Sequence, residues 1–103
     1  MVVGITPQEQ QIIEEILDAY ADTYAFYYYG SRVKGNFCKT SDLDVLIKGN
    51  APMPLSILTE LKGKFDQSHL PYIVNFSDYH NLTPEFYKLI EKDIVGYKKI
   101  GNV

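Results

Sequence analysis

The sequence of 103 residues contains a single cysteine, Cys38, so an intrachain disulfide is excluded. A lone cysteine in a polar stretch is typical of proteins that work in a reducing compartment. Metal ligands of the zinc type are equally scarce. Cys38, His69 and His80 lie far apart in the chain, whereas structural zinc sites use closely spaced ligand pairs. The sequence therefore predicts neither a disulfide scaffold nor a zinc site.

The chain also lacks an excess of positive charge and any long apolar run. Its formal net charge is -3, which gives no sequence-independent attraction to the backbone of a nucleic acid. The first residues turn polar too soon for a signal peptide, and no stretch is long and apolar enough to cross a membrane. We therefore expect a cytoplasmic protein that neither enters a membrane nor binds nucleic acid directly.

What the chain does have is the composition of a globular protein. Hydrophobic residues make up 46% of the sequence and charged residues 22%, which is far from the composition of disordered segments. Neither a repeat nor a low-complexity linker interrupts it. We expect a single domain over residues 1–103 with one modest core.

Hydrophobic periodicity predicts alternating helices and strands. Thr6-Pro7 and Thr83-Pro84 are helix-start signals, because each places proline just inside a capping residue. The predicted helices run from Pro7 to about Ala21, over residues 55–65 and from Pro84 to about Ile94; the predicted strands cover residues 25–29, 43–48 and 72–77. The tail after Gly96 is expected to fray. This order predicts an α+β (α/β-like) fold with a small mixed sheet packed by helices.

A Gly-Ser corner follows the first predicted strand. Gly30 would let another group approach the backbone closely, because it has no Cβ. The hydroxyl of Ser31 and the N–H groups of a short helix after it are placed to bind an anion. A Gly-Ser pair after a strand is more often an ordinary turn, so this feature alone does not establish a phosphate site.

Two aspartates begin the second predicted strand. Asp42 and Asp44 stand two residues apart, so both carboxylates point to one side of the sheet while Leu43 and Val45 point to the other. Neighbouring carboxylates repel unless a cation neutralises them, and Mg²⁺ prefers such oxygen ligands. Taken alone, "SDLD" fits a solvated loop end equally well. Combined with the Gly-Ser corner, it favours a site for a nucleotide and magnesium.

The two motifs together resemble those of a known enzyme family. "GSRVKG" followed by "SDLDVLI" is similar to the signature of the DNA polymerase β-like nucleotidyltransferases, and more narrowly to the minimal nucleotidyltransferases that pair with a HEPN-domain partner. The resemblance implies the polymerase β-like fold and the Mg²⁺-dependent transfer of a nucleoside monophosphate, AMP from ATP, onto a hydroxyl group. A haloacid dehalogenase-type phosphatase also uses Asp-x-Asp, but the polar "CKTS" before the pair does not fit that family.

The same resemblance implies a role for each motif residue. The nucleotide-binding residues would be Gly30, Ser31, Arg32 and Ser41; the catalytic residues would be Asp42, Asp44 and Asn75, with Asp42 and Asp44 as the metal ligands.

The third predicted strand departs from the family pattern. Family members have a third carboxylate there, facing the aspartate pair, whereas this chain has Asn75 in "YIVNFSD". An amide offers a neutral oxygen but cannot accept a proton as a carboxylate does. Asp78, three residues on, is predicted to face the opposite side of the sheet. An alternative function is therefore a non-catalytic, nucleotide-binding antitoxin or interaction module in which transfer is weakened.

The acceptor of the reaction has no obvious place in so short a chain. We expect a partner to supply it, either a small helical protein, by resemblance a HEPN-type ribonuclease toxin, or a second copy of this chain. Three tyrosines predicted to lie on the surface are candidate contacts for that partner: Tyr79, Tyr87 and Tyr97.

Overall fold

The computed structural model of the protein describes residues 4–98. Its helices are α1 (Pro7–Leu17), α2 (Ser31–Lys34), α3 (Leu55–Asp66) and α4 (Pro84–Ile90), and its strands are β1 (Tyr24–Tyr29), β2 (Leu43–Gly49), β3 (Val74–Asp78) and β4 (Val95–Gly96). Short 3₁₀ turns follow α1, precede α4 and follow α4. The predicted α+β class is confirmed. In this part of the chain no helix combines the length and apolarity needed to cross a membrane.

The four strands form one mixed sheet in the order β3-β2-β1-β4. β1 pairs antiparallel with both β2 and β4, whereas β2 and β3 are parallel. A parallel pair needs a crossover connection, and α3 provides it between β2 and β3. The sheet therefore brings the ends of β1, β2 and β3 that carry the sequence motifs next to one another.

One face of the sheet makes the hydrophobic core. Because side chains alternate along a strand, the residues on this face follow one another at every second position. The buried core residues from the two central strands and from α1 and α3 are Phe26, Tyr28, Leu43, Val45, Ile47, Ile13, Leu17, Leu61 and Phe65. The intervening positions of β1 and β2, which include Tyr29 and Asp44, lie on the opposite face, where the functional motifs meet.

The first helix begins as predicted. The Thr6 hydroxyl accepts from the N–H of Glu9, and the Glu9 carboxylate accepts from the N–H of Thr6, each at 3.1 Å. This reciprocal capping box satisfies two of the donors that every helix start leaves free. The start of α1 is thus fixed by local sequence alone.

The C-terminal elements differ from the prediction. The last helix ends at Ile90 instead of continuing to about Ile94, and a 3₁₀ turn then leads into β4. Val95 pairs with Tyr28, and the N–H of Tyr97 donates to the carbonyl of Phe26 at 3.1 Å. This long-range pairing overrides the helical periodicity and holds Val95 and Tyr97 against β1. Residues 99–103 lie outside the described part of the chain.

Candidate nucleotide and metal site

The corner between β1 and α2 exposes backbone donors. Gly30 caps α2 with φ 87° and ψ -161°, a conformation that an L side chain rarely adopts. Its carbonyl accepts from the N–H groups of Val33 and Lys34, both at 3.1 Å. The N–H groups of Ser31 and Arg32 precede the first intrahelical bond, so the helix itself gives them no acceptor. The half-buried Ser31 side chain stands at the same corner.

Asp44 lies directly against this corner. A Cβ built on Gly30 would overlap Asp44 Oδ2 and stand 3.2 Å from Asp44 Cγ. Glycine is therefore required at position 30 for two reasons, the positive φ and the space that the carboxylate occupies. The contact also shows that the Gly-Ser corner and the Asp44 carboxylate are direct neighbours.

Asp42, Asp44 and Asn75 come together on one face of the sheet. Asn75 on β3 is the register partner of Asp44 on β2, and its Nδ2 amide donates to Asp42 Oδ2 at 2.8 Å. The strand alternation seen in the sequence predicted this grouping. An amide thus stands where the resemblance seen in the sequence implies a third carboxylate.

The charge of the aspartate pair is poorly compensated by the protein. The pKa of Asp44 is raised by burial in the first place and also by the negative charge of Asp42, while the neighbouring Asn75 amide acts in the lowering direction. A cation beside Asp44 would offset both unfavourable effects. The oxygen atoms of Asp42, Asp44 and Asn75 are the donors that Mg²⁺ prefers, so the residues present fit this ion. Over residues 4–98 there is no cluster of three or more His, Cys, Asp or Glu side chains suited to a metal.

Asp78 does not replace the missing carboxylate. It pairs in register with Ile47, which places it on the core side of the sheet, away from Asn75. Its two carboxylate oxygens accept from the N–H groups of Met53 at 2.8 Å and His80 at 2.9 Å. Asp78 therefore holds the loop after β2 and the turn after β3, as the alternation predicted.

The Arg32 side chain does not lie at the Gly30-Ser31 corner, where we expected it to contact the nucleotide. Only 4% of its surface is exposed, and its guanidinium donates to backbone carbonyls of Gly4, Lys39 and Ser41. From its position on α2, the Arg32 side chain could turn towards Asp44 or towards the loop after α2. The carbonyls of Gly4, Lys39 and Ser41 hold it on the loop side. Its geometry indicates a structural role.

Ser41 is also engaged within that loop. Its hydroxyl accepts from the N–H of Cys38 at 3.0 Å, and its own N–H donates to the Cys38 carbonyl at 3.0 Å. The structure thus places Ser41 beside the site as a turn-stabilising residue that leads into Asp42. The Cys38 thiol contacts the hydroxyls of Thr40 and Ser41, and these hydrogen bonds lower its pKa to about 7.

Two residues of the site face were missed in the sequence. Tyr29 is the register partner of Asp44, and its hydroxyl hydrogen-bonds the Ser77 hydroxyl at 2.9 Å. Its ring meets that of Phe86 from α4 in an edge-to-face contact at 6.3 Å. The alternation that grouped Asp44 with Asn75 would also have found Tyr29 and Ser77. Tyr29 and Ser77 lie on the side of the site that faces α4.

The tyrosines expected on the surface have different environments. Tyr97 is buried with its ring against Phe26, and its hydroxyl donates to Asp18 at 2.6 Å, so it is not available as a partner contact. Tyr79 and Tyr87 surround the Lys48 ammonium, which donates to the Tyr87 hydroxyl at 3.1 Å. Of the three, Tyr79 is the exposed one, with 36% of its surface accessible.

Comparison with known families decides the assignment. The family model for polymerase β nucleotidyltransferases matches residues 11–99, which is most of the chain. The chain belongs to this nucleotidyltransferase family. The resemblance seen in the sequence motifs is therefore confirmed.

This nucleotidyltransferase is similar to a curated protein and to solved structures of complexes. It is 34% identical over 90 residues to a probable protein adenylyltransferase, MntA, of Haemophilus influenzae, covering 87% of this chain and 79% of that protein. Two solved structures share the fold at TM-scores of 0.71 and 0.70 with 17% and 15% identity, each covering 90% of this chain and 75% of the other. One is a toxin–antitoxin with AMP-PNP, and the other is the toxin–antitoxin MntA–HpeT with two aspartates replaced by glutamates.

Proposed function

We propose that this nucleotidyltransferase is a magnesium-dependent adenylyltransferase that moves AMP from ATP onto a hydroxyl group of a partner protein, as the antitoxin of a toxin–antitoxin pair. The observation that carries the proposal is the contact between Gly30 and the Asp44 carboxylate, beside Asp42 and Asn75. A triphosphate at the Gly-Ser corner would lie next to the carboxylate pair. The adenylyltransferase relative and the AMP-PNP complex support adenine nucleotide as the donor.

The residues divide the chemistry between them. The Gly30-Ser31 corner, through the backbone N–H groups of Ser31 and Arg32, would bind and orient the triphosphate, and Asp42 and Asp44 would hold the metal. Bound there, magnesium would supply charge neutralisation for the phosphates and would make the attacking hydroxyl more acidic. The acceptor oxygen attacks the α-phosphorus, a new O–P bond forms, the bond to the β-phosphate oxygen breaks, and pyrophosphate leaves.

The proton of the attacking hydroxyl has no third carboxylate to receive it. Asn75 cannot act as a base, because its amide has no basic lone pair at neutral pH. We therefore infer that this proton leaves to solvent and that transfer is slower than in relatives with a carboxylate at this position. The acceptor itself comes from a partner, for which a small helical HEPN-type toxin is the first candidate and a second copy of the chain the other.

A second candidate function is nucleotide binding without transfer. The hydrogen bond from the Asn75 amide to Asp42 favours it. An amide in this position cannot accept the proton of the attacking hydroxyl, and its N–H partly offsets the negative charge of Asp42. In that case the chain would act as an antitoxin by covering its partner, and ATP with magnesium would stabilise the bound form.

Label transfer from ATP tests the proposal. The chain is coexpressed with the helical protein encoded next to it, purified, and incubated with Mg²⁺ and ATP labelled at either the α- or the γ-phosphate. We expect covalent label on the partner only from the α-phosphate. Asp42→Asn should lower the rate by about three orders of magnitude, since a catalytic metal stabilises the transition state by several kcal/mol. The exposed Asp66→Asn is the matched control and should react normally. Transfer from the γ-phosphate, or full activity of Asp42→Asn, would contradict the proposal.

Asn75→Asp separates the two candidate functions. If the wild type transfers slowly for lack of a base, this variant should react about tenfold faster or more, within the usual contribution of general-base catalysis. A variant and a wild type that both bind ATP with Mg²⁺ but transfer no label would favour the non-catalytic antitoxin.

A further inference from the structure

Arg32 is the single charged side chain among the buried residues of the described chain. Its three nitrogens donate to carbonyls of two segments: Nη1 donates to Gly4 at 2.7 Å, while Nη2 donates to Lys39 and Nε to Ser41, both at 2.9 Å, in the loop after α2. Buried charges are costly unless hydrogen bonds replace the lost water, and here carbonyl oxygens do so. A side chain satisfied in this way is not free to reach a phosphate.

Two aromatic rings enclose the guanidinium. Its central carbon lies 3.7 Å from the centre of the Tyr72 ring and 5.0 Å from that of Phe37. Tyr72 is itself anchored, because its hydroxyl donates to Glu9 Oε1 at 3.0 Å, the same oxygen that accepts from the capping residue Thr6. Arg32 therefore links α2, the loop after it, the segment before α1 and the segment before β3.

Two residues that contact Arg32, Ser41 and Tyr72, lie close in the sequence to residues of the site. Ser41, whose carbonyl Arg32 holds, immediately precedes Asp42, and Tyr72 stands three residues before Asn75. The N–H of Leu43 also donates to the carbonyl of Ile73 at 2.8 Å, which joins the two segments between those anchors and the site. The relative position of Asp42 and Asn75 is thus set where Arg32 and Tyr72 stack.

We propose that Arg32 is a positioning residue: its guanidinium fixes the loop that ends at Asp42 and, through Tyr72, the start of the strand that carries Asn75. The carboxylate pair and the amide then face one another before any substrate binds. This inference deepens the proposed function, since it concerns the same site, but its physical content is measurable without transfer. Arginine is required because a lysine ammonium cannot reach three carbonyls in fixed directions.

Arg32→Lys tests the geometry while keeping the charge, and Lys34→Met is the matched control. Lys34 lies on the same helix, is exposed, and makes only a distant ion pair with Asp93 at 3.9 Å. The first readout is the NMR signal of the Asn75 side-chain amide, which reports its hydrogen bond to Asp42. The second is hydrogen exchange at the Ser41 amide. We expect Arg32→Lys to move the Asn75 signals towards those of a solvated amide and to speed Ser41 exchange at least tenfold, and Lys34→Met to change neither.

The third readout is the affinity for Mn²⁺ measured by electron paramagnetic resonance. Residues that orient metal ligands change metal affinity by about 10–100-fold when replaced, so we expect Arg32→Lys to weaken Mn²⁺ binding by at least about tenfold. Unchanged Asn75 signals, Ser41 exchange and Mn²⁺ affinity in Arg32→Lys would overturn the proposal. So would weaker binding of metal-free ATP with unchanged Asn75 signals, because that result assigns Arg32 to phosphate.

The remaining outcomes are also informative. If Arg32→Lys does not fold, Tyr72→Leu removes the ring under the guanidinium and keeps an apolar side chain; it should still shift the Asn75 signals, and unshifted signals would count against the proposal. A wild type that bound no Mn²⁺ would contradict the proposed function. The Asn75 signals and the Ser41 exchange need no metal, so they would decide the role of Arg32 separately.

Discussion

The two sides of the site around Asp44, here called the corner wall and the α4 wall, are built in different ways. The corner wall, formed by Gly30, Ser31 and the loop held by Arg32, is tied to the rest of the chain by backbone bonds and one buried guanidinium. The α4 wall has no buried residue in its helix, and Phe86 and Leu89 are 38% and 68% exposed. The difference indicates that the corner wall is fixed by buried hydrogen bonds, whereas the α4 wall is held less firmly.

The largest expected effect separates the two glycines of the corner wall. Gly30 and Gly35 have nearly the same φ, 87° and 90°, but a Cβ on Gly35 meets no atom within 4 Å, whereas one on Gly30 overlaps Asp44. Gly35→Ala should lower the free energy of unfolding by about 1–2 kcal/mol through backbone strain, and Gly30→Ala by more, because its φ and ψ lie in a region that essentially only glycine adopts. Gly30→Ala should in addition displace Asp44 and abolish label transfer. Urea unfolding and the transfer assay measure the two effects; equal transfer by both variants would show that the Asp44 contact is unimportant.

Asp44→Asn should stabilise the metal-free protein at neutral pH. Burial raises the pKa of Asp44 above its ordinary value of 3.8, so the folded state holds the proton more tightly than the unfolded state. The protonated Asp44 side chain therefore stabilises the fold at acid pH, and this contribution is lost as the pH rises through the folded-state pKa. The melting temperature of Asp44→Asn should therefore exceed that of the wild type near pH 7, and the gap should close below about pH 4. A constant difference at all pH values would contradict this explanation.

A smaller effect is expected at the thiol of Cys38, in the loop between α2 and β2. The hydroxyls of Ser41 and Thr40 lower the pKa of Cys38 from 9.0 to about 7, so the thiolate should form near neutral pH. The rate of alkylation by iodoacetamide should rise with a midpoint near pH 7. At that pH it should exceed the rate of an unperturbed thiol about fivefold, because part of the gain in thiolate is offset by its lower nucleophilicity. Ser41→Ala should move the midpoint upwards; an unchanged midpoint would remove Ser41 as the cause.

The smallest effect is expected in the α4 wall. Leu89→Ser should change the free energy of unfolding by less than about 0.5 kcal/mol, because the side chain is already exposed. Leu43→Ala, in the strand beneath the corner wall, is the contrasting variant: it empties a fully buried position and should cost about 2–5 kcal/mol. Chemical denaturation measures both. A large loss with Leu89→Ser would mean that the α4 wall is packed more firmly than its exposure indicates.

The sequence predicted those features that depend on local chemistry or strict alternation. The capping box of Thr6 and Glu9 is local, and the grouping of Asp42, Asp44 and Asn75 follows from the period of two along paired strands. These parts of the fold and the site were therefore accessible before any coordinates.

Other features depend on distant parts of the chain and were not predictable in the same way. β4 is two residues long and exists only because Val95 meets Tyr28, far away in the sequence. The direction of Arg32 was equally hidden, because α2 is a single turn and the carbonyls that capture this side chain lie in loops without periodicity. Tyr97 was assigned to the surface for the same reason.

The brevity of β4 has a consequence for how copies of this chain can associate. An uncovered edge strand presents rows of N–H and C=O groups on which a further strand can grow. Here β4 and Tyr97 pair with part of the outer edge of β1, and β4 itself has two residues with which an added strand could pair. Continuous sheet extension from that border is thereby discouraged. Any pairing of two molecules on this side has to rely on their side chains instead of on shared backbone ladders.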